Sequence, residues 1–132
     1  MGIAIPDRSE FEVHIGSQTR KFVFRSAAAA ALEERLEMDP LSYIGQNRGQ
    51  TRFIVEAIIV GLPRGKNEDI VSPGRVHKWL DDDADFDRDG FVMAVLYAIA
   101  RGKPGEEGRR MAAMLDEAFA EELKERSLRP SH

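Results

Sequence analysis

Six aspartates fall between positions 81 and 89, the densest set of potential ligands or acids in the chain. Within that run, Asp85-Phe86-Asp87-Arg88-Asp89-Gly90-Phe91-Val92 follows the opening of an EF-hand calcium loop. Such a loop needs oxygen ligands at positions 1, 3 and 5, glycine at 6 and a bidentate glutamate at 12. Asp85, Asp87, Asp89 and Gly90 meet the first demands, and Leu96 stands where the glutamate belongs. The segment therefore has two readings. One is a degenerate calcium loop on Asp85, Asp87 and Asp89. The favoured one is a solvated turn whose Asp87 or Asp89 caps the next helix and interacts with its macrodipole.

No other residues are spaced for catalysis. His14, His77 and His132 are too scattered to form a zinc pair one helical turn apart. No serine is framed as a nucleophile elbow. Gly61-x-x-x-Gly65-Lys66 is one residue short of a phosphate-binding loop, and Asn67 replaces the required Ser or Thr. With no cysteine, disulfides, thiolate metal sites and thiol nucleophiles are excluded. The expectation is a protein without catalytic activity and without a cofactor, calcium being the alternative.

The elements that would position these groups follow from patterning. Phe11, Val13 and Ile15 alternate with Glu12 and His14, a half-buried strand. Gly16-Ser17-Gln18 supplies a turn, and residues 20–25 form the partner strand. Ser26 is placed to cap a helix through the five alanines Ala27–Ala31 to Leu36. Asp39-Pro40 and Ser72-Pro73 each pair a capping side chain with a proline that suits the first helical position. The run at 51–60 is apolar on nearly all sides, which predicts a central helix. Phe91, Val92, Val95, Leu96 and Ile99 mark one side of another helix, stopped by Gly102 and Pro104. A last helix, roughly 106–126, carries a stripe of Met111, Met114, Leu115, Ala118, Phe119 and Leu123.

These patterns predict an α+β fold: an N-terminal β-hairpin packed on a bundle of about five α-helices. The 132 residues form one domain. Within it, 10–25 is the hairpin, 26–101 the helical core and 105–127 a C-terminal helix free to dock or to project. Residues 1–8 and 128–132 are expected to be disordered tails, and 63–71 a polar loop. A net charge of −4 disfavours nucleic acid as a partner. No leader is read at Met1–Asp7, and no stretch approaches the ~20 apolar residues that span a bilayer, so the expected location is the cytoplasm, with no membrane partner.

Candidate protein-binding residues are Phe53, Ile54, Trp79, Met111, Met114, Leu115 and Phe119. Each also has a plainer role in a core. For Trp79 the core role is preferred, because large aromatics are highly buried on average. The Met111–Leu123 stripe lies beyond a Gly-Pro hinge, where a methionine-bearing face suits an adaptable interface.

The order of parts resembles the tail assembly chaperones of long-tailed phages, prophages and gene transfer agents. The likeness runs from the Phe11–Phe24 hairpin through the helix bearing Leu32-Glu33-Glu34. It continues through Asp39-Pro40-Leu41, Phe53–Val60 with Gly61-Leu62, and Ser72-Pro73 into Val76-His77-Lys78-Trp79-Leu80-Asp81. It covers roughly residues 10–100 and lies in element order instead of an invariant motif. The resemblance implies a non-enzymatic factor of the host cytoplasm that binds the tape-measure protein, helps recruit tail-tube subunits and self-associates. The apolar surplus at 53–60 is compatible with a homo-oligomer. The alternatives are a degenerate calcium-dependent peptide-binding module and a tail-completion or connector protein that stays in the particle.

Overall fold

The computed structural model describes residues 2–63 and 71–128. Most of the expected 63–71 loop, the Gly65-Lys66 pair, His132 and the tail at 129–132 lie outside the described residues.

Two strands, β1 (Glu10–Ile15) and β2 (Gln18–Val23), pair antiparallel with Phe11 opposite Phe22 and Ile15 opposite Gln18. The turn takes only Gly16 and Ser17, whose φ values are +64° and +60°. Positive φ at both central residues gives the backbone twist that matches a two-residue hairpin. The second strand therefore begins at Gln18, earlier than residue 20. Val13, Ile15 and Phe22 turn inward with Phe24, while His14 faces solvent. A lone hairpin is marginal in water, so this apolar face needs the helices beneath it.

Among the described residues seven helices follow: α1 (Ser26–Leu36), α2 (Pro40–Gly45), α3 (Gln50–Gly61), α4 (Pro73–Asp82), α5 (Arg88–Gly102), α6 (Gly105–Ala118) and α7 (Ala120–Leu128). The α+β architecture of hairpin and helical bundle is thus the observed one. The helix number exceeds five because the turn after Pro40 is a short helix and the C-terminal helix bends at Phe119. Backbone bonds Phe119 N to Leu115 O and Leu123 N to Phe119 O run through that bend.

Both cap-then-proline signals hold. The Asp39 carboxylate accepts from the Ser42 N–H at 3.0 Å, and the Ser72 hydroxyl oxygen accepts from the Arg75 N–H at 3.2 Å. The cap at Ser26 does not. Arg25 is the N-cap and makes no side-chain cap bond. Helical bonding already starts at the Arg25 carbonyl, which accepts from Ala29, so Ser26 lies inside the first turn.

The central helix differs from the expectation. All residues of α5 from Gly90 to Ala100 are buried, not one side only. β1, α1, α3 and α6 pack around it. Helix α6 packs along α5, and the Tyr97 hydroxyl donates to Asp116 at 2.5 Å. Burial and the Asp116 carboxylate push the ionisation of Tyr97 upward. Helix α3 is also interior, with Phe53, Ile54, Ala57 and Ile58 fully covered. Its apolar sides are met within one chain, which removes the argument from 53–60 for self-association.

The C-terminal segment docks instead of projecting. Met111, Ala112 and Leu115 enter the core. The N-terminal segment is also placed against the body, contrary to the expectation of a disordered 1–8. Pro6 is buried, and Ile3 and Ile5 pack on the core. Two isoleucines this close in sequence carry enough apolar area to bring the segment out of water.

Candidate functional site

The aspartate run resolves into separate jobs. Asp81, Asp82 and Asp85 are exposed at the end of α4 and in the following turn. Asp87 is the N-cap of α5, and its Oδ1 accepts from the Gly90 N–H at 3.0 Å. Its Oδ2 accepts from the Ile3 N–H at 2.8 Å. Arg126 donates to both oxygens, Nη1 to Oδ2 at 2.9 Å and Nη2 to Oδ1 at 3.0 Å. One carboxylate thus ties the N-terminal segment, the start of α5 and the end of α7. Burial alone would raise its pKa, but the Arg126, Ile3 and Gly90 hydrogen bonds and the Arg126 charge hold it at about 2.

Two aspartates of the calcium reading, Asp87 and Asp89, have partners within the chain. Helix α5 begins at Arg88, so the latter part of the supposed loop is helical. Asp87 is committed to Arg126, and Asp89 accepts from the Gln50 side-chain amide at 2.6 Å. Among the described residues no three His, Cys, Asp or Glu side chains converge as a metal group, Asp85, Asp87 and Asp89 included. Gly90 has a different role from the turn glycine of a calcium loop. A Cβ there would stand 2.1 Å from Asp87 Oδ2, so glycine leaves room for the cap.

The protein-binding candidates divide by exposure. Phe53, Ile54 and Leu115 are wholly buried and Met111 nearly so; they are core, and no partner reaches them in this conformation. Met114 is 53 % exposed, the one large hydrophobic so exposed among the described residues. Phe119 is partly buried at the α6–α7 bend.

Phe119 lines a groove of about 440 Å³ between the α2–α3 connection, the start of α5 and the bend. Its floor has apolar edges from Ile44, Val92, Met93 and Ala118. Its rim carries Asp89, Glu117, Glu121 and Glu122, with Arg48 as the cation. Met114 does not itself line the groove; it lies one turn before Glu117 and Ala118 on α6, which do. An apolar floor with an acidic rim suits a segment that has an apolar face and basic flanks.

A second groove, of about 900 Å³, lies between the hairpin turn and α4. Trp79 is 7 % exposed and forms its wall. The Arg20 guanidinium sits 4.1 Å from the Trp79 ring centroid and that of Arg75 at 5.5 Å. Arg20 is held by the turn itself, with Nε donating to the Ile15 carbonyl at 2.9 Å and Nη2 to the Gly16 carbonyl at 3.3 Å. A Cβ on Gly16 would stand 2.7 Å from the indole, so the turn rests directly on the tryptophan. Trp79 is therefore both a core anchor and part of an open surface.

Arg20, Arg75 and Arg126 were not among the sequence candidates. Arg20 did carry a signal: it shares the inward register of β2 with Phe22, opposite Val13. A charge at an apolar register position beside a turn marks a side chain with an unusual environment. Arg75 and Arg126 sit on helices rich in charge, where nothing local singles them out.

No protein-family model matches the chain, and no curated protein or solved structure matches it.

Proposed function

We propose that this chain is a non-enzymatic assembly factor of the phage tail chaperone kind, which binds a segment of the tape-measure protein and helps recruit tail-tube subunits. The observation that carries the reading is the groove at the α6–α7 bend. It combines an apolar floor, an acidic rim and the neighbouring exposed Met114. A chaperone for a long helical client needs such a surface, since an amphipathic helix docks its apolar side in a groove and uses its flanks for register. Methionine suits the task because its unbranched side chain adapts to varied client surfaces. The order of hairpin and helices supports the same reading by resemblance. The setting for this role is the host cytoplasm, and no helix among the described residues is long and apolar enough to cross a membrane.

Co-expression with a phage tape-measure protein tests the proposal. The expected result is a soluble co-purifying complex that Met114→Glu weakens by about tenfold, through an unpaired charge in an apolar contact. A client that stays insoluble, or a complex indifferent to Met114→Glu, overturns it. Recovery of the chain from finished particles by mass spectrometry assigns it instead to the connector class.

A further inference from the structure

The groove beside Trp79 holds cations that form no ion pair among the described residues, although Asp82 and Asp83 stand on its rim. Among the described residues, neither Arg20 nor Arg75 has a carboxylate within ion-pair distance. Lys78 and the exposed His14 line the same groove. Arg20 gives Nε and Nη2 to the turn carbonyls, and its Nη1 has no acceptor among the described residues. Two guanidiniums around one indole repel each other, and an incoming anion relieves that repulsion. Consistent with this crowding, burial and the Arg75 charge lower the pKa of Arg20. Elsewhere arginines do meet carboxylates, as Arg35 does with Glu56 and Arg126 with Asp87.

We propose that this groove is a second binding site, which takes a carboxylate-rich segment of a protein partner between Arg20 and Arg75. Planar guanidinium forks match carboxylates in two-point hydrogen bonds. The hairpin turn fixes Arg20 in place before any ligand arrives, so little side-chain freedom is lost on binding. The geometry selects a peptide over a nucleic acid. Arg20 already occupies the space over the indole at 4.1 Å, where a base would stack. Asp82 and Asp83 on the rim limit the anionic charge the groove can take and oppose the continuous charge of a phosphate backbone. This site does not depend on the client proposed for the groove at the α6–α7 bend.

Trp79 is the only tryptophan, so its emission reads the site directly. The experiment titrates the full chain, at low ionic strength, with an octapeptide of glutamate, the matching glutamine octapeptide and an oligothymidylate. The expected result is a saturable change in emission with the glutamate peptide, suppressed by salt and missing with glutamine. Arg75→Gln should weaken binding by about tenfold, the loss of one charge-assisted contact. Arg75 is exposed, so that variant keeps the fold; unchanged circular dichroism checks this. Met114→Glu should leave the titration unchanged, which separates this site from the other groove. A flat emission trace to millimolar glutamate peptide, or equal binding by Arg75→Gln, overturns the proposal. Tighter binding of the oligothymidylate than of the peptide assigns the groove to nucleic acid and overturns it as well.

Discussion

Two arginine sites, one at Asp87 and one at Trp79, are treated by the fold in opposite ways. At Asp87, the Arg126 guanidinium meets a carboxylate at two points, and both side chains keep less than a fifth of their exposure. At Trp79, Arg20 and Arg75 both lie against the indole ring, with no carboxylate within ion-pair distance among the described residues. The first cluster is closed and joins distant parts of the chain. The second lines an open groove. Charge satisfied internally contributes to stability; charge left over is what a ligand can use.

The sharpest way to break this contrast is to remove the closed pair. Asp87→Ala should lower unfolding stability by about 3 kcal/mol, from a lost helix cap and a stranded arginine. Chemical denaturation measures it, and hydrogen exchange should show faster exchange in α7 than in α3. A loss below about 1 kcal/mol would mean that Arg126 is dispensable.

Next in size is the support of the open cluster. Gly16→Ala puts a side chain at φ +64° and 2.7 Å from the indole. The expected cost is about 2 kcal/mol from overpacking and strain. The variant should also shift Trp79 emission, because the ring must move. An unshifted spectrum contradicts the contact between turn and tryptophan.

The pH dependence is smaller and has a definite sign. Asp87 has a folded pKa of about 2, against an ordinary carboxylate value of 3.8. Its contribution is therefore complete above about pH 4 and is lost as pH falls toward 2. Discounted for solvent screening, it amounts to about 1–2 kcal/mol. The gap in stability between wild type and Asp87→Asn should be constant from pH 5 to 7 and narrow below pH 4. A gap that persists at pH 2 places the effect in packing and not in charge.

The smallest effect belongs to the open cluster itself. Arg75→Gln should change stability by less than about 0.5 kcal/mol, since exposed charges contribute little to folding. A loss of several times that size would make Arg75 structural and remove it from the ligand site.

What could be read from the chain and what could not follows from the range of the interactions. The hairpin, the Asp39-Pro40 and Ser72-Pro73 starts and the apolar character of 53–60 were legible, because each rests on neighbours within a few residues. The aspartate run misled in part. Asp85, Asp87, Asp89 and Gly90 fit a calcium pattern, yet the same Asp-x-x-Gly spacing lets a carboxylate fold over the first turn of α5. The partnership of Asp87 with Arg126 spans 39 residues and that with Ile3 spans 84, so neither leaves a periodic trace. The burial of α5 on every side was hidden too. Its second face is alanine, methionine and tyrosine, ordinary on a half-exposed helix, and only the docking of α6 decides the matter. Of the site candidates, Met114, Phe119 and Trp79 reach surfaces, while Phe53, Ile54, Met111 and Leu115 were drawn from patterns that a core produces equally well.

The double use of Asp87 Oδ2 has a consequence for the connectivity of the chain. The Ile3 amide and the Arg126 guanidinium bond to the same oxygen, at 2.8 and 2.9 Å. The two ends of the fold therefore meet, and a short flexible linker could join them into a ring. A circular permutant reopened at Lys103-Pro104, between α5 and α6, would keep the Asp87 junction while reversing which half leaves the ribosome first. In such a chain α6 and α7 would be made before the helix they cover, and folding would have to wait for α5 to arrive.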